Sequence, residues 1–359
     1  MTQESDVLLP FYDTSRAGQD LRRTRCFRSN GRRTKVLLGE NRHDAGVEKP
    51  LSTLFVSHRS SLAHDMGPDH PERPDRVRAI ERILENERFQ SLLREQAPYG
   101  ERESILRAHP EAYIGALERA APTEGLIQLD GDTAMCPATM EAAMRAVGGA
   151  CLAVDEVMER KVANAFVAMR PPGHHAERAT PMGFCFFNNA AVAARHAQKV
   201  HGAERVAIMD FDVHHGNGTQ DIFWSDPTVM YASTHEMPAY PGTGAVNERG
   251  EHDNIVNAPL YAGAASDVFR EAMEIAILPR IEEFAPDLVI ISAGFDAHRL
   301  DPLANLKLVE ADFAWATRKL MDIADRRAKG RVVSLLEGGY SLEGLSRSAA
   351  AHVMTLMGV

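Results

Sequence analysis

Four runs along the chain are almost continuously apolar and rich in branched side chains: NAFVAMR (164–170), RVAIMDF (205–211), DLVIISA (287–293) and RVVSLLE (331–337). A strand of this kind has both faces covered. Between and after these runs, over 188–200, 265–284 and 308–328, apolar residues recur at three- and four-residue spacing, which predicts helices. Strands alternating with crossover helices make a parallel sheet, so the expected class is α/β with helices on both faces. The alternation begins near residue 54. Val77, Ile80, Ile83, Leu84 and Leu92 predict one helix over 74–94, with Pro74 in its first turn. A second upstream helix is expected over 137–160, opened by Pro137, with Gly148 and Gly149 marking close packing.

Residues 1–50 break this pattern. They are polar and arginine-rich, carry a charge of +3 against −13 for the remainder, and read as a surface arm of unknown role. A single domain is expected over 51–359. Asp6, Asp13 and Asp20 count against a transit peptide, and the start MTQESD lacks a secretory pattern. No apolar run approaches the roughly 18–20 residues of a membrane helix. Cys26, Cys136, Cys151 and Cys185 show no CxxC spacing, which fits a reducing compartment. The cytoplasm is the expected location. The net charge of −10 argues against direct nucleic-acid binding. A membrane partner is not expected, and a homo-oligomer is compatible with the sequence.

The polar clusters after the four strands carry the chemistry. They are PPGHH, DVHHGNG, GFDAH and GGY. Ligands of open parallel sheets bind at the carboxyl ends of the strands, so these clusters should converge. If Asp210-Phe211-Asp212-Val213-His214 is extended, Asp210, Asp212 and His214 share one side. With Asp296 from another strand end, carboxylates and an imidazole suit a divalent transition metal. The plainer reading makes the aspartates turn caps and His214 a structural histidine. His174 and His175 offer a base and an acid in the right titration range, with Asp210 and Asn217 as candidate ring partners. Tyr340, after two glycines, could donate to a developing oxyanion or simply pack.

PPGHHAERATPMGFCFFNNAAVAA (171–194), DFDVHHGNGTQDIF (210–223), YPGTG (240–244), SAGFDAHRLDPLANLKL (292–308) and EGGYSLEGL (337–345) resemble the zinc-dependent histone deacetylase family. HDMGPDHPERPDRVRAI (64–80) resembles its first loop and helix, and the likeness spans about 54–357. Acetylpolyamine amidohydrolases and acetoin-utilisation proteins share the superfamily. Asn217 stands where class I members usually have aspartate, which resembles class II. The resemblance implies an arginase/deacetylase-like fold. It implies one catalytic Zn²⁺ per chain on Asp212, His214 and Asp296. His174 backed by Asp210 and His175 backed by Asn217 become the tandem catalytic pair, with Tyr340 as the oxyanion donor. Gly183, Phe184 and Tyr240 would line the acyl-lysine tunnel, Tyr240 departing from the usual phenylalanine. Leu303 would stand near the mouth, where a polyamine-selective relative has a glutamate. A structural K⁺ would use Asp210, Asp212, His214, Ser233 and Thr234.

The implied reaction is hydrolysis of an N-acyl amide, most simply an acetylated lysine side chain or an acetylated small amine. The alternative enzyme is an acetylpolyamine amidohydrolase with the same catalytic residues. A two-metal ureohydrolase needs more carboxylates than the HHGN run offers. A silent acyl-binding protein is disfavoured by the intact His174, His175, Asp296 and Tyr340.

Overall fold

The computed structural model describes residues 52–359, so the arm predicted over 1–50 lies outside the described residues. Ten strands are β1 Thr53–Ser57, β2 Leu93–Gln96, β3 Ile127–Gln128, β4 Ala134–Met135 and β5 Asn164–Val167, then β6 Val206–Asp210, β7 Val229–Glu236, β8 Ile255–Leu260, β9 Leu288–Ala293 and β10 Val332–Leu336. Eight of them form one sheet in the order β2-β1-β5-β10-β9-β6-β7-β8. Every pairing in it is parallel. β3 and β4 make a separate antiparallel hairpin.

The four runs expected as strands are β5, β6, β9 and β10, and they are the central four of the sheet. Their unbroken apolar character follows from that position. On β9, Ile290 packs with the helices Thr139–Met158 and Asn189–His201, while Val289 and Ile291 pack with Glu310–Arg327 and Leu342–Leu356 on the other face. Successive side chains point to opposite faces, so a strand covered on both sides needs apolar residues at every position.

Two helix expectations are corrected. The helix predicted over 74–94 runs only over Asp75–Ile83. Asn86 then accepts from Arg88 N at 3.1 Å and caps a short turn, and the chain enters β2. An asparagine that bonds its own backbone competes with the helix ladder. Leu92 is buried all the same. The helix predicted over 265–284 is Ser266–Ala272 and Leu278–Phe284, joined by a wider π turn at Met273–Ile277. Pro279 has no N–H for the ladder, and the wider turn accommodates it. Thr139–Met158 matches its expectation. A Cβ on its Gly148 would strike the backbone of Pro98, which is the close packing expected there.

Candidate active site

The loops after β5, β6, β9 and β10 meet at one edge of the sheet because their strands are neighbours. Asp210 is the last residue of β6. The next four residues are not extended, which corrects the alternation expected across Asp210, Asp212 and His214. They turn instead: Asp212 N donates to Asp210 Oδ1 at 3.1 Å and His214 N to Asp212 Oδ1 at 2.9 Å. Each short carboxylate accepts from the N–H two residues on, and the chain winds around the site.

The three-residue set is nevertheless assembled. His214 Nδ1 lies 3.2 Å from Asp212 Oδ1 and 3.1 Å from Asp296 Oδ2. The other carboxylate oxygens are tied to backbone: Val213 N donates to Asp296 Oδ1 at 2.8 Å and Gly338 N to Asp212 Oδ2 at 2.7 Å. Gly338 is required because a Cβ there would strike the Asp296 carboxylate. Burial pushes the Asp296 carboxyl up to about 7, reinforced by the Asp212 charge. Two buried carboxylates and one imidazole nitrogen within 4.8 Å of one another form a donor set suited to a divalent cation.

Asp155, His196 and His201 form a second set of similar spacing. Here Arg107 lies 2.9 Å from His196 Nδ1. A guanidinium can only donate, so the imidazole proton must sit on Nε2, facing Asp155 Oδ1 at 2.7 Å. That nitrogen donates rather than ligates, and the cluster is a clasp between two helices.

His174 Nδ1 donates to Asp210 Oδ2 at 3.0 Å, which also accepts from the Tyr231 hydroxyl at 3.1 Å. Burial opposes charge on His174, but Asp212 and Asp210 outweigh it and push its pKa up to about 10. His175 Nδ1 meets Asn217 Oδ1 at 2.8 Å. Asn217 Nδ2 is turned to Glu177 Oε1 at 2.9 Å, so the amide presents its oxygen to His175. Nε2 of that ring is left with its lone pair. Burial and then the neighbouring His174 and His214 hold His175 well below the ordinary histidine value. The pKa values of the two adjacent histidines are thereby pushed in opposite directions.

A cavity of about 220 Å³ opens here, lined by His175, His214, Tyr340, Gly183, Phe184, Tyr240, Leu303 and Asp132. A wider hollow of about 640 Å³ beside Arg82–Phe89 contains no histidine, cysteine or buried carboxylate. Tyr240 stands 5.2 Å from the His175 ring and Phe184 stands 5.8 Å from Tyr340, centroid to centroid. Gly183 has φ +57°, and a Cβ on it would enter the His175 ring. Ser233 and Thr234 lie on β7 with Ser233 opposite Asp210. Thr234 Oγ1 is buried without a hydrogen-bond partner, whereas Ser233 Oγ is 2.9 Å from His235 Nδ1.

The structure adds residues that the sequence reading passed over. Asp132 enters the cavity from the turn between β3 and β4, and LDGDT carries no distinctive spacing. Glu337 is fully buried and accepts from Gly173 N at 2.7 Å and His174 N at 3.1 Å, holding the histidine turn. Arg76 lies over the Tyr340 ring at 4.8 Å from its centroid. Glu337 and Arg76 lie inside stretches singled out above, but their partners are too far along the chain to be read from it.

The sequence matches a family model described as the histone deacetylase domain over residues 70–356. It is 40% identical over 325 residues to histone deacetylase 14, chloroplastic, of Arabidopsis thaliana, covering 85% of this chain and 77% of the other. It is 39% identical over 303 residues to a protein of Archaeoglobus fulgidus named "Probable deacetylase", covering 82% and 83%. The crystal structure of the HDA15 HD domain superposes with a TM-score of 0.82 at 36% identity, covering 86% of this chain and 88% of that one. Among the described residues, no helix is long and apolar enough to cross a membrane. With a matching family model over most of its length, close relatives of like span, and the paired histidines beside a buried Asp₂His set, the chain belongs to the histone deacetylase family.

Proposed function

We propose that this chain is a zinc-dependent deacetylase that hydrolyses N-acetyl-lysine side chains or similar acetylated amines. The observation that carries the reading is one cavity lined by His175, His214 and Tyr340, with Asp212 and Asp296 bonded to His214 and with His174 packed against His175. Zinc held by Asp212, His214 and Asp296 would supply Lewis acidity toward the amide carbonyl and the attacking water. His175 takes the proton of that water on Nε2. Tyr340 donates its hydroxyl to the oxygen that becomes negative as the carbonyl is attacked. His174, kept protonated by Asp212 and Asp210, holds charge beside His175, and a protonated ring returns a proton to the departing amine. Gly183, Phe184 and Tyr240 shape a slot for an extended alkyl amide. A K⁺ beside Asp210, Asp212, His214, Ser233 and Thr234 belongs to the same reading, supported by the unpartnered Thr234 hydroxyl.

The test is a substrate panel with purified protein: acyl-lysine peptides, acetylpolyamines and simple amides, with acetate release and zinc content measured together. Acetate release from an acetyl-lysine peptide is expected, lost on chelation and restored by one equivalent of zinc. No turnover of any amide by zinc-loaded protein would overturn the reading, and two transition metals per chain would overturn the single-metal assignment.

Leu303 bears on substrate choice. It lines the cavity and is 41% exposed, so it meets whatever extends from the slot. Leucine offers no charge to the second amine of a polyamine, so acetyl-lysine peptides should be preferred over acetylspermidine. Leu303→Glu should shift the kcat/KM ratio toward acetylspermidine by about fivefold, since a solvent-exposed ion pair contributes about 1 kcal/mol at most. The gain should shrink at high salt. A ratio that does not change would remove Leu303 from specificity.

A further inference from the structure

We propose that Asp301 is a positioning residue for Tyr340. It acts by clamping the peptide unit on which the phenol is carried and by tying that unit to the rim loop of Leu303. The inference rests on the deacetylase reading for its kinetic consequence, though not for its geometry.

Tyr340 follows Gly338 and Gly339, and Gly339 has φ +119°. Glycine restricts the backbone least, so the turn by itself does not define where the next side chain stands. Something else must fix the peptide between Gly339 and Tyr340. Its oxygen accepts from Arg76 Nε at 2.6 Å, and its N–H donates to Asp301 Oδ2 at 2.7 Å. A cation and an anion thus grip opposite ends of one peptide unit. The same Oδ2 accepts from Ser341 N at 3.1 Å, ahead of the helix Leu342–Leu356. Hydrogen bonds from peptide N–H groups to an ionised carboxylate are stronger than neutral ones, and Asp301 is only 8% exposed.

The second oxygen faces the rim. Leu303 N donates to Asp301 Oδ1 at 3.1 Å across Pro302, which has no N–H to compete. Asp301 N in turn donates to His298 O at 2.8 Å, in the loop that leaves β9 past Asp296. One carboxylate therefore sets the oxyanion donor and the mouth of the cavity in a common frame. None of its hydrogen bonds goes to Asp212, His214 or Asp296, and it acts through Tyr340.

Asp301→Asn keeps the size but not the bonding. An amide has one accepting oxygen, so it serves either the Tyr340 and Ser341 N–H groups or the Leu303 N–H, and turns a donor toward the other. Expected is a fall in kcat of about 10–100-fold, larger than any rise in KM, at unchanged zinc content. In the Tyr340→Phe background the same change should cost less than about threefold, because the hydroxyl it positions is gone. Equal losses in both backgrounds, or no loss in either, would overturn the proposal. A second readout does not need activity. With 3-fluorotyrosine incorporated, the ¹⁹F resonance absent from Tyr340→Phe reports this ring. It should move or broaden in Asp301→Asn while the other tyrosine resonances hold. A resonance that stays in place overturns the clamp. A displaced resonance in a chain without deacetylase activity leaves the clamp standing and removes the functional reading. Should Asp301→Asn fail to fold, Asp301→Ser loses the same charge and carries both expectations.

Discussion

Replacing Tyr340 with phenylalanine is expected to lower kcat by about 10²–10³-fold while zinc content and thermal unfolding stay close to those of the parent chain. The substitution removes one hydroxyl and almost no volume. Its ring keeps the contact with Phe184 and the guanidinium of Arg76. Burial raises the Tyr340 hydroxyl well above its ordinary value, and the Arg76 charge only partly offsets this. The phenol therefore keeps its proton through the neutral range and serves as a donor throughout. The deficit should be flat between about pH 6 and 9, because no titration of Tyr340 falls in that window. Steady-state kinetics on an acetyl-lysine peptide across that range decide the matter. A variant that keeps near-parental kcat would make Tyr340 a packing residue.

His175→Ala should lower kcat/KM by about 10²–10⁴-fold, at least as much as His174→Ala at equal zinc occupancy. The two rings are adjacent in sequence, with centroids 4.0 Å apart, yet face different partners. Asp210 stabilises an imidazolium at His174, whereas the neutral Asn217 does not do so at His175. A base works only when unprotonated. Because the His175 pKa is lowered, its neutral form survives to more acid pH, and the acid limb of kcat/KM should fall below about pH 6.5. A limb above that value, or a larger loss in His174→Ala, would reverse the two roles.

Much of this molecule can be read along the chain. Continuous apolar runs marked β5, β6, β9 and β10, and these are the strands that carry the site. β7 and β8 escaped notice because their buried positions include Ser233, Thr234, His235, Glu236 and Asn257. His235 and Glu236 find partners outside the strand, in Gly244 and Asn305, and such long-range pairing leaves no local periodicity to detect. β2 is a four-residue edge strand of exposed, mostly polar side chains, which gives no apolar run. The helix over 74–94 was overextended because Leu92 returns to the core after an intervening turn, at a spacing a helix would also produce.

By itself the sequence determined which chemical groups are present and which strand ends carry them. Donor type belongs to the side chain, and alternation of strand and helix is written in local periodicity. Only the tertiary structure decided how those groups are aimed. The turns that bring Asp212 and His214 to Asp296, the amide of Asn217 held by Glu177, and the peptide gripped between Arg76 and Asp301 all depend on contacts between elements. Arg76 reaches Gly339 across 263 positions and Asp301 reaches Tyr340 across 39. Such pairings follow from strand order and packing, and a charge on a side chain does not reveal which distant backbone group it will meet.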